Sequence, residues 1–153
     1  MENKKQALKK YLTEIKQSFD TVEESEYNDS AFTIDGTHEE YYVFTEKEAD
    51  EKAKDEILNE LWAFNADFVL RHNANFESLD NWEYDAALES LRKAQEMNCE
   101  SLNGLMRCLI SDIDEFVEDA INADGRGHFI SRYDGRENEV EYKGTTYYIY
   151  RID

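Results

Sequence analysis

The amino-acid sequence predicts an α+β fold, in which about four helices pack on a small antiparallel or mixed sheet of three or four strands. Two β-hairpin patterns, one around residue 36 and one around residue 144, are separated by segments whose apolar residues recur at helical spacing. The chain has 153 residues, of which 41% are apolar, a size and composition typical of one globular unit. We therefore expect residues 1–153 to form a single domain.

The first predicted element is an amphipathic helix within residues 1–20. Leu8, Leu12 and Ile15 follow one another at spacings of three and four. Five lysines against three acidic residues make this helix basic, with a net charge of +2. The next segment, residues 21–30, is acidic and lacks periodicity, which is typical of a loop.

Short runs rich in β-branched and aromatic residues predict the strands. Residues 32–34 and 41–44 lie on either side of a turn sequence that contains Gly36, and this pattern favours a β-hairpin. Residues 140–142 and 145–150 are joined by Lys143 and Gly144, which predicts a second hairpin with a two-residue turn.

Three further helices are predicted between the hairpins. Thr45 with Glu48, and Asp80 with a glutamate three positions on, are capping-box patterns that begin helices. The first of these helices is predicted to continue through Phe68, and the second to fade near residue 98. The last helix is predicted over residues 102–121, ended by Gly125. One apolar stripe supports the Thr45 helix: Ala49, Ala53, Ile57, Leu61, Phe64 and Phe68.

The charge is the strongest indication of what the protein binds. The chain carries 36 acidic and 17 basic side chains, a net charge of −19, and residues 21–153 alone carry −21. Such a surface repels nucleic acids and anionic membranes, so we expect neither as a direct partner. The sequence has no apolar run of signal-peptide or membrane-spanning length, which predicts a cytoplasmic protein. Nine residues on a helix separate Cys99 from Cys108 by roughly 13 Å, beyond the reach of a disulfide, so both should be reduced. Cys99 is expected to be a small buried residue.

The densest group of chemically capable side chains lies around Asp124, Arg126 and His128. Residues 122–133 resemble part of a calcium-binding loop, but Arg126 falls at a ligand position and a tyrosine replaces the last glutamate. The three histidines of the chain lack zinc-ligand spacing. We therefore expect no metal and no cofactor, and interpret the group as a structural turn, with a small catalytic or ligand site as the alternative.

Two rows of carboxylates at helical spacing, and the tyrosines of the second hairpin, are the predicted partner-binding residues. Carboxylates three or four residues apart on a helix lie roughly 5–6 Å from one another, comparable to phosphates along a nucleic-acid strand. Tyrosine supplies large contact area at interfaces, and at least one of Tyr147, Tyr148 and Tyr150 is expected to face away from the core. The predicted binding residues are Glu48, Glu51, Asp55, Asp112, Glu115, Asp119, Tyr147 and Tyr148.

Several short segments resemble a pattern found in small acidic proteins of tailed bacteriophages and prophages. These segments are residues 124–129 (DGRGHF), 133–135 (YDG) and 147–151 (YYIYR), together with 42–45 (YVFT) and 61–64 (LWAF). The resemblance extends over residues 40–153. It implies a phage or mobile-element origin, expression in the cytoplasm of a bacterial host, and a raised expectation of an inhibitor of host defence, but it carries over no catalytic or binding residue.

The function predicted from these observations is that of a non-enzymatic phage accessory protein, which binds a basic host protein through its acidic surface. A nuclease or another nucleic-acid-binding protein is the expected partner, and nucleic-acid mimicry against restriction or CRISPR defence is the expected mechanism. One alternative is a structural or protein-interaction module, including a homo-oligomer, that uses the exposed tyrosines of the second hairpin. The other is a small enzyme or ligand-binding protein centred on Asp124, Arg126 and His128.

Overall fold

The computed structural model describes residues 1–26 and 28–153 and has an α+β fold with an antiparallel sheet in the order β1-β2-β3-β5-β4. The predicted fold class is confirmed, but this part of the chain has five strands instead of three or four. The strands are β1 (Val22–Glu24), β2 (Ala31–Ile34), β3 (Glu40–Phe44), β4 (Asn138–Tyr142) and β5 (Thr145–Arg151). The helices are α1 (Glu2–Glu14), α2 (Glu46–Asn59), α3 (Ala66–Arg71), α4 (Asn81–Asn98), α5 (Asn103–Leu109), α6 (Ile113–Asp124) and α7 (Arg126–Ile130).

The chain divides into two compact units. The sheet unit consists of residues 1–53 and 124–153, and the helical unit consists of residues 54–123. The sheet unit holds all the strands named above together with α1 and α7, and the helical unit holds α3, α4, α5 and most of α6. A single domain over residues 1–153 stays a prediction.

In the sheet unit, α1 packs on one face of the sheet. The register pairs Phe32 with Tyr41 and Val43 with Ile149, so these side chains share the face on which Leu8 of α1 is fully buried. Both predicted hairpins are confirmed by this register. The basic N-terminal helix is also confirmed, although it ends at Glu14.

The fifth strand, β1, lies inside residues 21–30, so the prediction of a loop over that whole segment was wrong. Val22 pairs with Ile34 and is fully buried. A three-residue strand with one apolar side chain gives no alternating pattern to detect in sequence. Its existence depends on pairing with a strand ten residues further on.

The opposite face of the sheet carries Tyr42, Phe44, Tyr148 and Tyr150, and it is covered as well. The Lys52 ammonium lies 5.4 Å from the centre of the Tyr42 ring. The Tyr42 and Phe44 rings stack with their centres 5.0 Å apart. Tyr150 is fully buried. Because both faces of the sheet are covered, its aromatic residues serve as core rather than as an open surface.

The long helix predicted from Thr45 to Phe68 is divided in the structure. After α2 the chain makes a 3₁₀ turn at Leu61–Ala63, and α3 begins after Asn65, whose side-chain oxygen accepts from the Asp67 N–H at 2.9 Å. At the start of α2 the Glu48 carboxylate accepts from the backbone N–H and the hydroxyl of Thr45, both at 2.8 Å, which is one half of the predicted capping box. The apolar stripe continues across the break because the 3₁₀ turn keeps Leu61 buried.

A side chain from α5 ends α2. The Asn103 amide donates to the carbonyls of Leu58 and Asn59, at 3.0 and 2.7 Å, and its oxygen accepts from the Trp62 N–H at 2.8 Å. These bonds satisfy backbone groups that a continuing helix would satisfy internally. A partner 44 residues away leaves no trace in local periodicity, which explains the error.

The helix predicted over residues 102–121 is likewise divided, into α5 and α6. The Asn73 amide donates to the Leu109 carbonyl at 2.7 Å, and the Ser111 N–H donates to the His72 carbonyl at 2.8 Å. Asp112 then caps α6, and Gly125 follows its last residue with a φ of +80°, so the predicted end is confirmed. The predicted start and end of α4 are confirmed too.

Cys99 and Cys108 are free thiols, and both are exposed. The prediction that Cys99 is buried was wrong, because α4 ends there with its last residues in solvent. Among the described residues, no helix combines the length and the apolar character needed to cross a membrane.

Candidate functional site

The outer side of α6 is the most acidic exposed surface of the helical unit. The Asp112 carboxylate starts the helix by accepting from the N–H groups of Asp114 and Glu115, both at 3.0 Å. Phe116 and Ala120 are buried, so helical geometry places the carboxylates on the opposite side. We call this surface the acidic face of α6, and it consists of exposed Asp112, Asp114, Glu115, Glu118 and Asp119.

Only part of this face is neutralised. Lys54 pairs with Asp114 at 2.5 Å, and His72 contacts Asp119 at 3.0 Å. Glu115 and Glu118 form no ion pair with any residue that the structure describes. The helical unit has 16 acidic and 5 basic side chains, a net charge of −11, so its cations are too few to neutralise the remaining carboxylates.

His72 fixes α6 to α3. Its ring centre lies 4.7 Å from that of Phe68 and 5.0 Å from that of Phe116. Nδ1 lies 2.8 Å from the Phe68 carbonyl oxygen, and Nε2 lies 3.0 Å from Asp119 Oδ2. Both partners are acceptors, so both contacts are hydrogen bonds only when the ring carries two protons. His72 thus packs the helical unit and orients one carboxylate of the acidic face.

The other predicted row of carboxylates, on α2, is largely engaged within the fold. Glu48 Oε1 accepts from the Lys4 ammonium at 2.8 Å, and Oε2 accepts from the Thr45 backbone N–H at 2.8 Å. Glu51 pairs with Lys47 at 3.6 Å. Of the three predicted residues on α2, Asp55 is the one exposed side chain for which the described residues supply no ion pair.

Glu48 is expected to make stability depend on pH. Burial raises the pKa of Glu48, but hydrogen bonds from Lys4 and Thr45 outweigh it and lower the pKa below the ordinary value of 4.5. The stabilisation is therefore complete above that value and is lost as the pH falls through the folded-state pKa. Glu48→Gln should lower the free energy of unfolding by roughly 0.5–1 kcal/mol at pH 7, and the difference from the original chain should be smaller at pH 3. Urea denaturation at both pH values measures this.

Asp55→Asn is the matched control, because it also removes one carboxylate from α2. It should change the free energy of unfolding by no more than about 0.5 kcal/mol. A difference between Glu48→Gln and the original chain that persisted unchanged at pH 3 would contradict the assignment.

The predicted recognition tyrosines belong to the sheet unit's interior. Tyr147 is 7% exposed and lies on the face covered by α1. Tyr148 is half-buried, and the Arg126 guanidinium lies 4.3 Å from its ring centre. Tyr148 thus lies on the face opposite the core under α1, and the Arg126 side chain of α7 covers part of its ring.

Arg126 occupies the centre of an ion-pair cluster in the sheet unit. Its Nε and Nη2 donate to the two carboxylate oxygens of Glu137 at 2.8 and 2.9 Å, and its Nη1 donates to Asp50 at 2.7 Å. The Tyr150 hydroxyl donates to the same Glu137 at 2.5 Å. Asp124 and His128 are exposed, whereas the Arg126 side chain is 12% exposed. This arrangement supports the interpretation of the group as a structural turn.

The protonation states in this cluster follow from its contacts. Burial alone would lower the pKa of Arg126, but the hydrogen bonds to Glu137 and Asp50 raise it well above its usual range. Burial raises the pKa of Tyr150, and donation to Glu137 raises it further. The guanidinium therefore stays charged and the phenol stays neutral at physiological pH, which keeps the ion pair and the hydrogen bond to Glu137 in place.

The glycines and the serine around α7 hold this turn against the sheet. Gly127 is buried, and a Cβ there would lie 2.6 Å from the Gly135 carbonyl oxygen. The Ser131 hydroxyl hydrogen-bonds with Asp134 at 2.8 Å and with the Arg151 carbonyl at 2.6 Å. Of the segments that resemble the phage pattern, residues 124–129, 133–135 and 147–151 thus meet in one structural junction of the sheet unit.

The helical unit also has a cleft, with a volume of about 350 Å³. Within it the Tyr84 hydroxyl donates to Asp67 Oδ1 at 2.7 Å, and Arg71 pairs with Asp67 Oδ2 at 2.7 Å. Burial raises the pKa of Tyr84, as does the bond to Asp67, so the hydroxyl remains a donor. The lining residues are Asp67, Leu70, Arg71, Phe76, Glu77, Leu79, Asn81 and Tyr84.

Comparison with known proteins gave no relatives. No family model, curated protein or solved structure matches the chain. Among the described residues, no group of three or more histidine, cysteine, aspartate or glutamate side chains is arranged to hold a metal ion. Any role for the acidic face of α6 or for the cleft must therefore be inferred from the chemistry of their own side chains.

The structure places the predicted Asp112, Glu115 and Asp119 together on the exposed side of α6, but the cleft was not predicted. No role was predicted for Phe76 and Leu79, two apolar residues just before the Asp80 capping box. Apolar residues immediately before a helix start often pack against that helix, and this signal was available. The contribution of Asp67 could not be predicted from sequence, because it depends on how α3 packs against α4.

Proposed function

We propose that the chain is a non-enzymatic accessory protein of phage origin that binds a basic surface on a host protein through the acidic face of α6. The expected partner is a nuclease or another nucleic-acid-binding protein of a bacterial defence system. The supporting observation is that Glu115 and Glu118 are exposed and without ion pairs on a helix whose unit carries −11.

The α6 surface supports this proposal better than α2 does. On α2, Glu48, Asp50 and Glu51 each already contact a cation, so a partner would have to displace internal ion pairs to use them. On α6 the carboxylates at positions 115 and 118 can pair with incoming Lys or Arg without disrupting the fold. The binding surface is therefore centred on α6.

The mechanism would be competition with nucleic acid. Side chains three and four residues apart on α6 lie roughly 5–6 Å from one another, which lets a groove that binds successive phosphates accept successive carboxylates instead. Lys and Arg of the partner would form charge-assisted hydrogen bonds with them. Duplex DNA should then release the partner from the protein, because both compete for the same cations.

The double variant Glu115→Gln/Glu118→Gln is expected to weaken partner binding about tenfold, because two charge-assisted contacts are lost from a surface with little other neutralisation. The protein, tagged and immobilised, is used to capture proteins from a bacterial lysate, which are then quantified by mass spectrometry. The captured partner should be a nucleic-acid-binding protein that is lost on raising the salt from 50 to 200 mM, and that duplex DNA elutes.

Asp85→Asn/Glu96→Gln provides the matched control, since it also removes two exposed carboxylates from the helical unit, but from α4. It should retain the partner. Equal capture by the α6 variant and the control, or capture that is indifferent to salt, would overturn the proposal.

A further inference from the structure

The chemistry of the cleft in the helical unit selects for cations over anions. Two carboxylates, Asp67 and Glu77, line it, and Asp80 and Glu83 lie beside it at the start of α4. The lining cation, Arg71, is paired with Asp67. The N-terminus of α4 is closed to anions because the Asp80 and Glu83 carboxylates form its capping box. Because carboxylates predominate here and Arg71 is already paired, an anionic ligand is disfavoured.

The remaining lining adds two aromatic rings and an apolar floor. Phe76 and Tyr84 line the cleft together with Leu70 and Leu79. Aromatic faces attract cations, and a guanidinium stacks on them better than an ammonium does. The aliphatic stem of a long basic side chain can lie along the leucines while its charged end reaches a carboxylate.

The cleft is large enough to hold one long side chain. Its volume, about 350 Å³, lies at the lower end of the roughly 300–1,000 Å³ of ligand pockets. Glu77 is exposed, and the described residues supply it with no ion pair, so its carboxylate is available to an incoming donor pair.

We propose that this cleft binds an arginine side chain of the partner. The guanidinium pairs with Glu77 and lies against the Phe76 and Tyr84 rings, and the stem covers the leucines. This inference rests on the proposed function, because the arginine belongs to the basic partner engaged by α6. The cleft would recognise arginine specifically, whereas the acidic face of α6 would recognise positive charge in general.

N-acetyl-arginine amide is the probe, with N-acetyl-citrulline amide as its neutral isostere. The full-length protein, labelled with ¹⁵N, is titrated with each and followed by NMR. The arginine probe should produce saturable shifts at the amides of Phe76, Asn81 and Tyr84, with a Kd on the order of 1 mM. The citrulline probe should bind at least about fivefold more weakly, since it keeps the shape and loses the charge.

Glu77→Gln should weaken the arginine probe about fivefold, and Asp85→Asn, an equal charge change outside the cleft, should weaken it less than twofold. Both positions are exposed, so both variants should fold. Equal binding of the two probes, equal effects of the two variants, or shifts confined to residues outside the cleft would overturn the inference. Glu115→Gln/Glu118→Gln should leave probe binding unchanged, so failure of the cleft and failure of the α6 surface give different results.

Discussion

Arg126→Ala is expected to lower the free energy of unfolding by about 3 kcal/mol. The guanidinium binds both oxygens of Glu137, whose side chain is 24% exposed. Removing it leaves a largely buried carboxylate for which, among the described residues, the Tyr150 hydroxyl is the remaining donor, and it uncovers one side of the Tyr148 ring. The second ion pair, to Asp50, adds little because that carboxylate is 59% exposed. Urea denaturation followed by circular dichroism measures the change.

Two further variants separate the effect of losing this ion pair on stability from the effect of losing a basic side chain. Arg136→Ala removes an exposed arginine from the same segment and should change the free energy of unfolding by no more than about 0.5 kcal/mol. Arg126→Ala/Glu137→Gln should be less destabilised than the sum of its single variants by about 1 kcal/mol or more, since both remove one interaction. If Arg126→Ala matched Arg136→Ala, the cluster would not hold the sheet unit together.

This cluster shows how chemically capable residues in one segment can serve the fold. The guanidinium has fixed partners and the phenol donates to a carboxylate, and these contacts raise the pKa of both groups above their usual values. Their structural role is to join α7, α2 and β5 within the sheet unit. The sequence shows residue types that suit catalysis or structure equally well, and only the direction of each side chain decides between them.

Local signals predicted the parts of the fold that depend on neighbouring residues. The helix starts at Thr45 and Asp80, the turn at Lys143 and Gly144, and the helix end at Gly125 were all found from a few adjacent positions. Each of them acts through hydrogen bonds or backbone angles within one turn of chain, so a short sequence contains the whole cause.

The errors arose where distant side chains end an element. The Asn103 side chain ends α2. The Asn73 side chain ends α5 in the same way, because its amide donates to the Leu109 carbonyl. An asparagine in sequence does not reveal which carbonyl it will reach. One missed signal was local, since Asp112 with Glu115 has the capping-box spacing that marks the start of α6, and it would have divided the last long helix correctly.

The same distinction between local and distant causes applies to the candidate binding surfaces. Helical spacing alone identified the acidic rows on α2 and α6, because carboxylates at intervals of three and four must share a side of a helix. Which row is available depends on Lys4 and Arg126, which reach α2 from elsewhere in the sheet unit, and on Lys47 within α2 itself. The pattern therefore locates the charges, and the tertiary contacts decide which of them a partner can use.

Gly127→Ala is expected to destabilise the chain by roughly 3 kcal/mol, at the upper end of the range for overpacking. A Cβ at this position would lie 2.6 Å from the Gly135 carbonyl oxygen, 2.7 Å from the Arg136 carbonyl carbon and 2.7 Å from the Glu137 nitrogen. All three are backbone atoms, so no side chain can rotate away to make room. The turn would have to move from α7, and it would carry Glu137 away from Arg126.

Gly104→Ala is the matched control for this variant. It lies in α5, where an added Cβ has no heavy atom within 4 Å, and alanine is the better helix former by up to about 1 kcal/mol. This control should therefore be neutral or stabilising in the same urea experiment. Since Gly127→Ala displaces the segment that holds Glu137, combining it with Arg126→Ala should add much less than the sum of the two losses. Additive losses would mean that the close approach at Gly127 and the ion pair stabilise the sheet unit independently, which the shared backbone at residues 135–137 argues against.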